Sequence, residues 1–353
     1  MLKYSIKRII LAFVTTFIIL TLTFFLVKSL GPAQLTGTAK DGEIYAFYQK
    51  QVEYGYCIPF HEEHTELGKY VGLYNPGGGV QPIYYYEKPI VEQYGNWLGN
   101  IVTKFDWGQS THIKPTAEAI NIIAKRLPTS LKINVIAMVL SVPLGIALGI
   151  FAGLKKNTWI DHTISTSVMI FISIPSFVVI TFLLWWFAYN GSLPTTWPKA
   201  DQSDSIKALG YIIPVLSLSF GSICGYTRFV RAELCEVMSS EYLLLARTKG
   251  LTKRQAIMRH ALKNAFVPIL PSILAEFIGI FSGSMILERI YSIDGIGDLY
   301  ITALSANNAS ERDMNVLMVD MAIFTIVGLL AGVVLDLSYG FIDPRIRMGE
   351  KNS

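Results

Sequence analysis

The chain has 353 residues, 52% of them hydrophobic and only 16% charged, with a formal net charge of +4. That composition excludes an ordinary soluble domain and a disordered chain alike, and a mean hydropathy of +0.42 points to a polytopic membrane protein. The small positive balance collects in short loops between apolar runs, so nucleic acid is not implied as a partner.

In chain order, six apolar runs fall near 9–30, 131–154, 163–189, 209–227, 266–287 and 315–341. Each has the roughly 18–25 residues that carry a helix across about 30 Å of hydrocarbon. Six transmembrane helices are therefore predicted. A soluble helical core would need polar faces recurring with a period near 3.6, and "INVIAMVLSVPLGIALGIFAG" has none. The first run follows "MLKYSIKR", is long for the apolar region of a signal peptide and lacks a clear small-x-small cleavage site, so a retained anchor is expected.

Cations set the orientation. Lys3, Lys7 and Arg8, then Lys155 and Lys156, then Arg228, Arg231 and the stretch 241–271, and finally Arg345, Arg347 and Lys351 fall on one side when six helices are threaded in order. That side reads as cytoplasm, with both termini inside. The other side receives a loop of about 100 residues between the first two spans; its eight Lys/Arg do not contradict the reading, because long segments cross largely regardless of charge. Shorter outer loops are expected near 190–208 and 288–314. The organisation that follows is an N-terminal tail with the first span (1–30), an extracytoplasmic loop domain (31–125), a core of five spans (126–342) and a tail (343–353).

Within the large loop, Tyr45, Phe47, Tyr48, Tyr54, Tyr56, Phe60, Tyr70, Tyr74 and "IYYY" at 83–86 make 36–87 unusually aromatic, with "NPGGG" at 75–79 marking a turn. Such a segment can bury surface, so a small hairpin-containing cap is expected. Its "CIPFHEEHTE" (57–66) offers His61, His64, Glu62, Glu63 and Glu66, but the spacing is not HExxH and no second histidine cluster supports a metal; a solvated loop is the better reading. Cys57 lies outside, and Cys224 and Cys235 lie towards the cytoplasmic end of span four, so no disulfide can join the two sides and the thiols read as structural.

The stretch "EYLLLARTKGLTKRQAIMRHALKNAFVPILP" (241–271) carries six Lys/Arg and one Glu between two apolar runs. It parses as two short helices: Ser239 or Ser240 can cap the first, Gly250 is a left-handed stop, and Thr252 with Gln255 forms a capping box for the second. Pro268 and Pro271 mark where span five begins. In the second helix Ile257, Ala261 and Phe266 share one face, with Met258 and Leu262 beside it, while Lys253, Arg254 and Lys263 point elsewhere. Three uses fit such an amphipathic segment: lying on lipid headgroups, packing under its own bundle, or docking into a groove of a cytoplasmic partner.

The same residues resemble the cytoplasmic signature loop of ABC-importer permeases of the oligopeptide/dipeptide group. "RLPTSLKINVIAMVLSVPLGIALGIFAG" (126–153), "YTRFVRAELCEVMSSEY" (226–242), "LERIYSIDGIGDL" (287–299), "DPRIR" (343–347) and "NWLGNIVTKFDWGQS" (96–110) agree in order and spacing. The likeness spans about 1–35 and 88–353; the segment 36–87 has no counterpart in it. Where the broader importer signature begins Glu-Ala-Ala, this chain has Leu244, Leu245 and Ala246, a departure the peptide group tolerates.

The resemblance implies an all-α integral membrane protein of six transmembrane helices, the type I importer permease fold, with a large folded outer loop. It further implies a transporter subunit rather than an enzyme, located in a prokaryotic cell membrane. Expected partners are a second homologous permease, two ABC ATPase subunits, an extracytoplasmic peptide-binding lipoprotein and membrane lipid. No cofactor is expected on this chain; ATP and Mg belong to the ATPase subunits, and no GxxxxGK[ST] loop is present here. In such transporters the loop 231–265 seats coupling helices on the ATPase. Carried over, Ala246 and Gly250 allow close backbone approach, Arg247, Lys249 and Arg254 supply polar contacts, Glu241 anchors the start, and Tyr242 and Leu251 complete the pattern. The cargo stays open between peptides and the nickel chelates, glutathione or glycosides carried by relatives of the group.

Ionisable residues inside spans are candidates for function. Glu276 in span five stands where the family usually has a neutral residue, and with Ser282 and Ser284 it is a candidate for the translocation path; a helix-to-helix hydrogen bond is the competing reading. Asp320 and Asp336 lie in span six, and Asp336 is expected to pair with Arg228 or Arg231. Pro143, Pro175, Gly145, Gly149, Gly279 and Gly283 permit kinks and close helix contacts, and "LLWWFAY" (183–189) reads as an aromatic belt. A membrane hydrolase would need GxSxG, HExxH or paired aspartates at one depth, none of which is found, and an ATPase-independent channel is the remaining rival.

Overall fold

A computed structural model describes residues 2–29, 41–63, 69–75, 80–305 and 312–342. The elements run α1 (Leu2–Ser29), α2 (Asp41–Glu53), β1 (Cys57–Phe60), β2 (Tyr70–Tyr74), β3 (Ile83–Glu87), α3 (Ile90–Lys104), α4 (Ala119–Leu154), α5 (Trp159–Ile172) and α6 (Ser176–Leu183) with a π-helical continuation (Leu184–Tyr189). They continue as α7 (Asp204–Gly210), α8 (Ile212–Met238), α9 (Glu241–Thr248), α10 (Lys253–Ala256), a π turn (Ile257–Ala261), α11 (Leu262–Ala265), α12 (Ile269–Gly279), α13 (Met285–Ile290), α14 (Ile296–Leu304) and α15 (Met314–Ile342).

Among the described residues four helical stretches are long and apolar enough to cross a bilayer: Ile6–Ser29, Ala119–Leu154, Asp204–Met238 and Met314–Ser338. Two further runs are bent pairs, Trp159–Ile172 with Ser176–Tyr189 at 97°, and Lys253–Ala265 with Ile269–Gly279 at 48°. Both bends fall at prolines the sequence marked, Pro175 and Pro268, where a missing N–H and the ring interrupt the ladder. The run 266–287 is also not one helix, since α12 ends at Gly279 and residues 280–284 leave the helical path.

The chain divides into two compact units. One, of residues 13–128 and 295–326, is aromatic. Here the expectation of an all-α protein is corrected: β1, β3 and β2 form an antiparallel sheet in that order, with Cys57 opposite Glu87 and Tyr74 opposite Ile83. Three consecutive tyrosines in "IYYYE" put rings on both faces of a pleated strand, one of which a helix can cover. α2 covers it, stacking Tyr48 on Tyr85 with ring centroids 4.4 Å apart. Phe24 of α1 meets Trp97 of α3 at 4.9 Å, and Thr21 and Tyr94 share a hydroxyl hydrogen bond of 2.8 Å. Burial pushes the Tyr48 hydroxyl and the Cys57 thiol each up to about 12, so Cys57 is an inert core residue. Further along, the Asp313 carboxylate accepts from the Ser110 hydroxyl and from the N–H groups of Thr111, His112 and Ile113, which folds 110–113 around one buried charge.

The other unit, of residues 1–12, 129–294 and 327–353, is packed through glycine. Gly145, Gly149 and Gly153 recur every fourth residue along α4, one small-residue stripe. A Cβ on Gly149 would lie 2.7 Å from Val230 Cβ and 2.8 Å from the Thr227 carbonyl, so α8 approaches as closely as backbone allows. Hydroxyls tie the pair together: Ser219 donates to the Ala137 carbonyl at 3.0 Å and Thr227 to the Gly145 carbonyl at 3.3 Å. Asp336 pairs with Arg8 at 3.0 Å rather than with Arg228 or Arg231. Arg231 is engaged elsewhere, donating Nη2 to Asp161 at 2.8 Å, a buried carboxylate at the start of α5.

Candidate functional site

The basic segment folds as its punctuation predicts, with one difference at its first cap. Ser240 occupies the N-cap of α9, but its hydroxyl donates back to the Val237 carbonyl and no side chain caps the helix. At the other end Gly250 has φ +96°, its N–H bonds to the Arg247 carbonyl at 3.0 Å, and Leu251 N–H reaches the Ala246 carbonyl at 3.4 Å. This is the left-handed helix stop that a residue with a Cβ adopts only under strain. Thr252 and Gln255 then form the reciprocal capping box, 3.3 Å from Gln255 N–H to the threonine hydroxyl and 3.0 Å from Thr252 N–H to the glutamine oxygen.

Leu243, Ala256, Ile257, Ala261 and Ala265 bury against Leu234 of α8, with Ile150 of α4 alongside. Met258, expected beside this face, is instead exposed; the π turn of 257–261 widens the helix there. What the fold leaves outward is the predicted set Glu241, Tyr242, Arg247, Lys249, Gly250 and Arg254, with Ala246 and Leu251 half-buried at its edge. Leu244 and Leu245 are also exposed, at 62% and 56%, and sequence reasoning treated them only as a departure from a signature. Two adjacent leucines that a two-turn helix cannot both bury were the available signal. A cavity of about 210 Å³ opens between α9 and α10, lined by Ser240, Leu243, Leu244, Arg247, Lys253 and Ile257.

At the start of α5, against α8, Asp161 accepts from Arg231, from Asn157 N–H at 2.9 Å and from the Ser165 hydroxyl at 3.2 Å. Asp161 was not singled out from the sequence, although "TWID" places a capping threonine three residues before it, and Thr158 does cap α5.

A second cavity, of about 250 Å³, brings together Glu276, Ser282 and Ser284 with Asn134, Ser141 and Ser222. The Tyr226 hydroxyl lies near the Glu276 carboxylate, and the neighbouring Ser272 hydroxyl donates to the Ile269 carbonyl at 2.7 Å. Beside it the buried Glu288 carboxylate accepts from the Ser130 hydroxyl at 2.8 Å and from Ser284 N–H at 3.2 Å, which fixes the start of α13. Asn134 and Glu288 were missed in the sequence; both lie in stretches noted only for their resemblance.

His61, Glu62 and Glu63 are exposed, and among the described residues no group of three His, Cys, Asp or Glu could hold a metal ion; His64 and Glu66 lie outside those residues. The three cysteines are buried and free. Arg345, Arg347, Lys351, the stretch 343–347 and most of the turn at 75–79 also lie outside the described residues.

Long apolar helices, a broken helix beside a polar cavity, and a capped cationic segment packed beneath α8 define a polytopic helical membrane permease. Residues 145–348 match the family described as "Binding-protein-dependent transport system inner membrane component", and the chain belongs to that family. It is similar to the dipeptide transport system permease protein DppB of Lactococcus lactis subsp. cremoris (strain MG1363), 30% identical over 355 residues that cover 99% of this chain and 100% of the relative. It is 31% identical over 350 residues to the oligopeptide transport system permease protein OppB of Escherichia coli (strain K12), covering 98% of this chain and 100% of the relative. A solved chain of the inward-facing MetNI methionine ABC transporter is 15% identical, with a TM-score of 0.49 over 64% of this chain and 97% of that one. The protein is thus the permease subunit of an ATP-binding-cassette importer in the cell membrane, a transporter component and not an enzyme.

Proposed function

We propose that the chain forms half of a translocation pathway for dipeptides and oligopeptides, switched between outward- and inward-open states by two separate ATPase subunits. The observation that carries the cargo is the near-full-length likeness to a dipeptide and an oligopeptide permease. Six spans are threaded with both termini in the cytoplasm, the two bent pairs each counting as one, and the large loop lies outside. A second, homologous permease supplies the other half, and a peptide-binding lipoprotein delivers cargo to the outer face, where the aromatic cap at 41–87 meets it. ATP and Mg are held by the ATPase subunits.

The coupling role is given to Glu241, Tyr242, Ala246, Arg247, Lys249, Gly250, Leu251 and Arg254. Two fixed helix ends and an apolar underside seated on α8 support it, since a push on α9 or α10 passes into packed side chains rather than a slack loop. Exposed cations and leucines give a groove on a partner both charge and apolar area to bind. Glu276, Ser282 and Ser284 line the path.

Co-purification tests the coupling role. Gly250→Trp and Arg247→Glu should each release the ATPase subunits from the permease while leaving it in the membrane; retention of the complex by both variants would overturn the assignment. Uptake of labelled di- and oligopeptides, set against nickel chelates, glutathione and glycosides, tests the cargo, and solute flux without any ATPase would favour a channel instead.

A further inference from the structure

Glu276 stands one turn before the C-terminal end of α12, and the chain then leaves the helix over 280–284 before α13 begins. Non-helical backbone within a hydrophobic layer persists only where protein satisfies it or a wet cavity meets it. Both conditions hold here. Asn134 Nδ2 donates to the Ile280 and Ser282 carbonyls at 2.8 and 3.1 Å, and Ile280, Ser282 and Ser284 line the cavity.

Charge in this cavity has one sign. Glu276 is the one ionisable residue lining it, with no Lys, Arg or His among the lining residues. The C-terminal end of α12 adds the negative pole of a helix dipole, and the serine hydroxyls can turn their lone pairs inward. A carboxylate entering this space would be repelled, whereas an ammonium would find a counter-ion. At about 250 Å³ the cavity has the room of roughly eight waters, enough for one end of a peptide and not for its length.

Resting on the peptide reading above, we propose that this cavity is a subsite for the α-ammonium group of the cargo, with Glu276 as its counter-ion. The bound group is thus the free N-terminus of a peptide, held while the remainder occupies the wider path.

The test uses the complete importer and three labelled peptides: one with a free N-terminus, the same peptide N-acetylated, and the acetylated peptide carrying a lysine. Uptake into liposomes is measured for wild type and Glu276→Gln, and binding to the solubilised complex is measured without the binding protein, which removes that protein's own preference. Wild type should favour the free amine about tenfold, the order set by one charge-assisted hydrogen bond, and Glu276→Gln should abolish most of that preference. A glutamine keeps the size and an amide oxygen acceptor but removes the charge, so a merely structural side chain would leave the ratio between peptides unchanged; that result, or an equal loss for all three, overturns the subsite. Equal preference of wild type for the lysine peptide and the free amine overturns the N-terminal assignment. If wild type takes up none of the three, the peptide reading fails and the subsite with it.

Discussion

In the aromatic unit the fully covered side chains include Tyr85, Phe24 and Phe47, whereas α4 meets α8 in the other unit through Gly145, Gly149 and Gly153. The contrast follows the solvent each contact is built against. Residues 41–107 are interrupted by charges and lack an apolar run long enough to span, so their folding is driven by removing rings from water, and large rings remove the most area. Two helices in hydrocarbon gain nothing of that kind from apolar side chains, since lipid tails are equally apolar. They gain from close backbone approach and from hydrogen bonds such as those of Ser219 and Thr227.

Truncating a ring is therefore the largest expected effect. Tyr85→Ala should destabilise the segment around the sheet by about 3–5 kcal/mol, the range for losing a buried aromatic side chain. Limited proteolysis of 41–107 in the purified protein, together with its thermal unfolding, would show it. The same change at Trp185 or Trp186, both more than half exposed on the bent span, should leave both measurements nearly unchanged. Equal losses at all three would break the contrast.

Adding a methyl group tests the glycine-packed unit from within. Gly149→Ala places a Cβ against Val230 and the Thr227 carbonyl, and should cost about 1–3 kcal/mol, as overpacking does. Gly221→Ala on α8 meets nothing within 4 Å and should be neutral or slightly stabilising. Thermal stability in micelles separates them, and similar values for the two variants would show that the stripe does not set the α4–α8 distance.

Much of this was legible beforehand, for reasons that differ by element. The capping box depends on residues three positions apart, the aromatic insert on composition, and Gly145 and Gly149 were visible as close-contact candidates, although Gly153 and the stripe they form were not. The break at 280–284 was hidden because "IFSGSMIL" still averages as apolar, and hydropathy cannot see a helix end inside a greasy run. Asp336 was assigned the wrong partner because its arginine lies at position 8, at the far end of the chain, and no local rule reaches that distance. Asp161 was passed over since a carboxylate one turn into an apolar helix reads as a cap, and only the fold brings Arg231 over it. At the cavity, Glu276 was visible as a charge in a span, while Asn134, which satisfies the broken backbone, carried no signal of its own.

The smallest expected effect lies at the segment that belongs to neither kind of packing alone, because α10 sits on an apolar underside while its first turn faces water. Thr252→Ala removes the acceptor for Gln255 N–H and leaves Gln255 without its reciprocal partner, a loss of about 1 kcal/mol. That is too little to unfold α10 and the π turn after it, since Ala256 and Ile257 remain buried against α8. It should instead fray the first turn, so amide exchange at Gln255 and Ala256 should quicken several-fold while exchange at Ala261 and Ala265 stays slow. Thr252→Ser keeps the acceptor and should restore protection. If the alanine variant couples ATP hydrolysis to uptake as tightly as wild type despite its frayed turn, transmission runs through the buried underside of the segment. If coupling weakens in step with exchange, the cap itself is part of the lever, and the position it fixes at Thr252 counts for more than its share of stability.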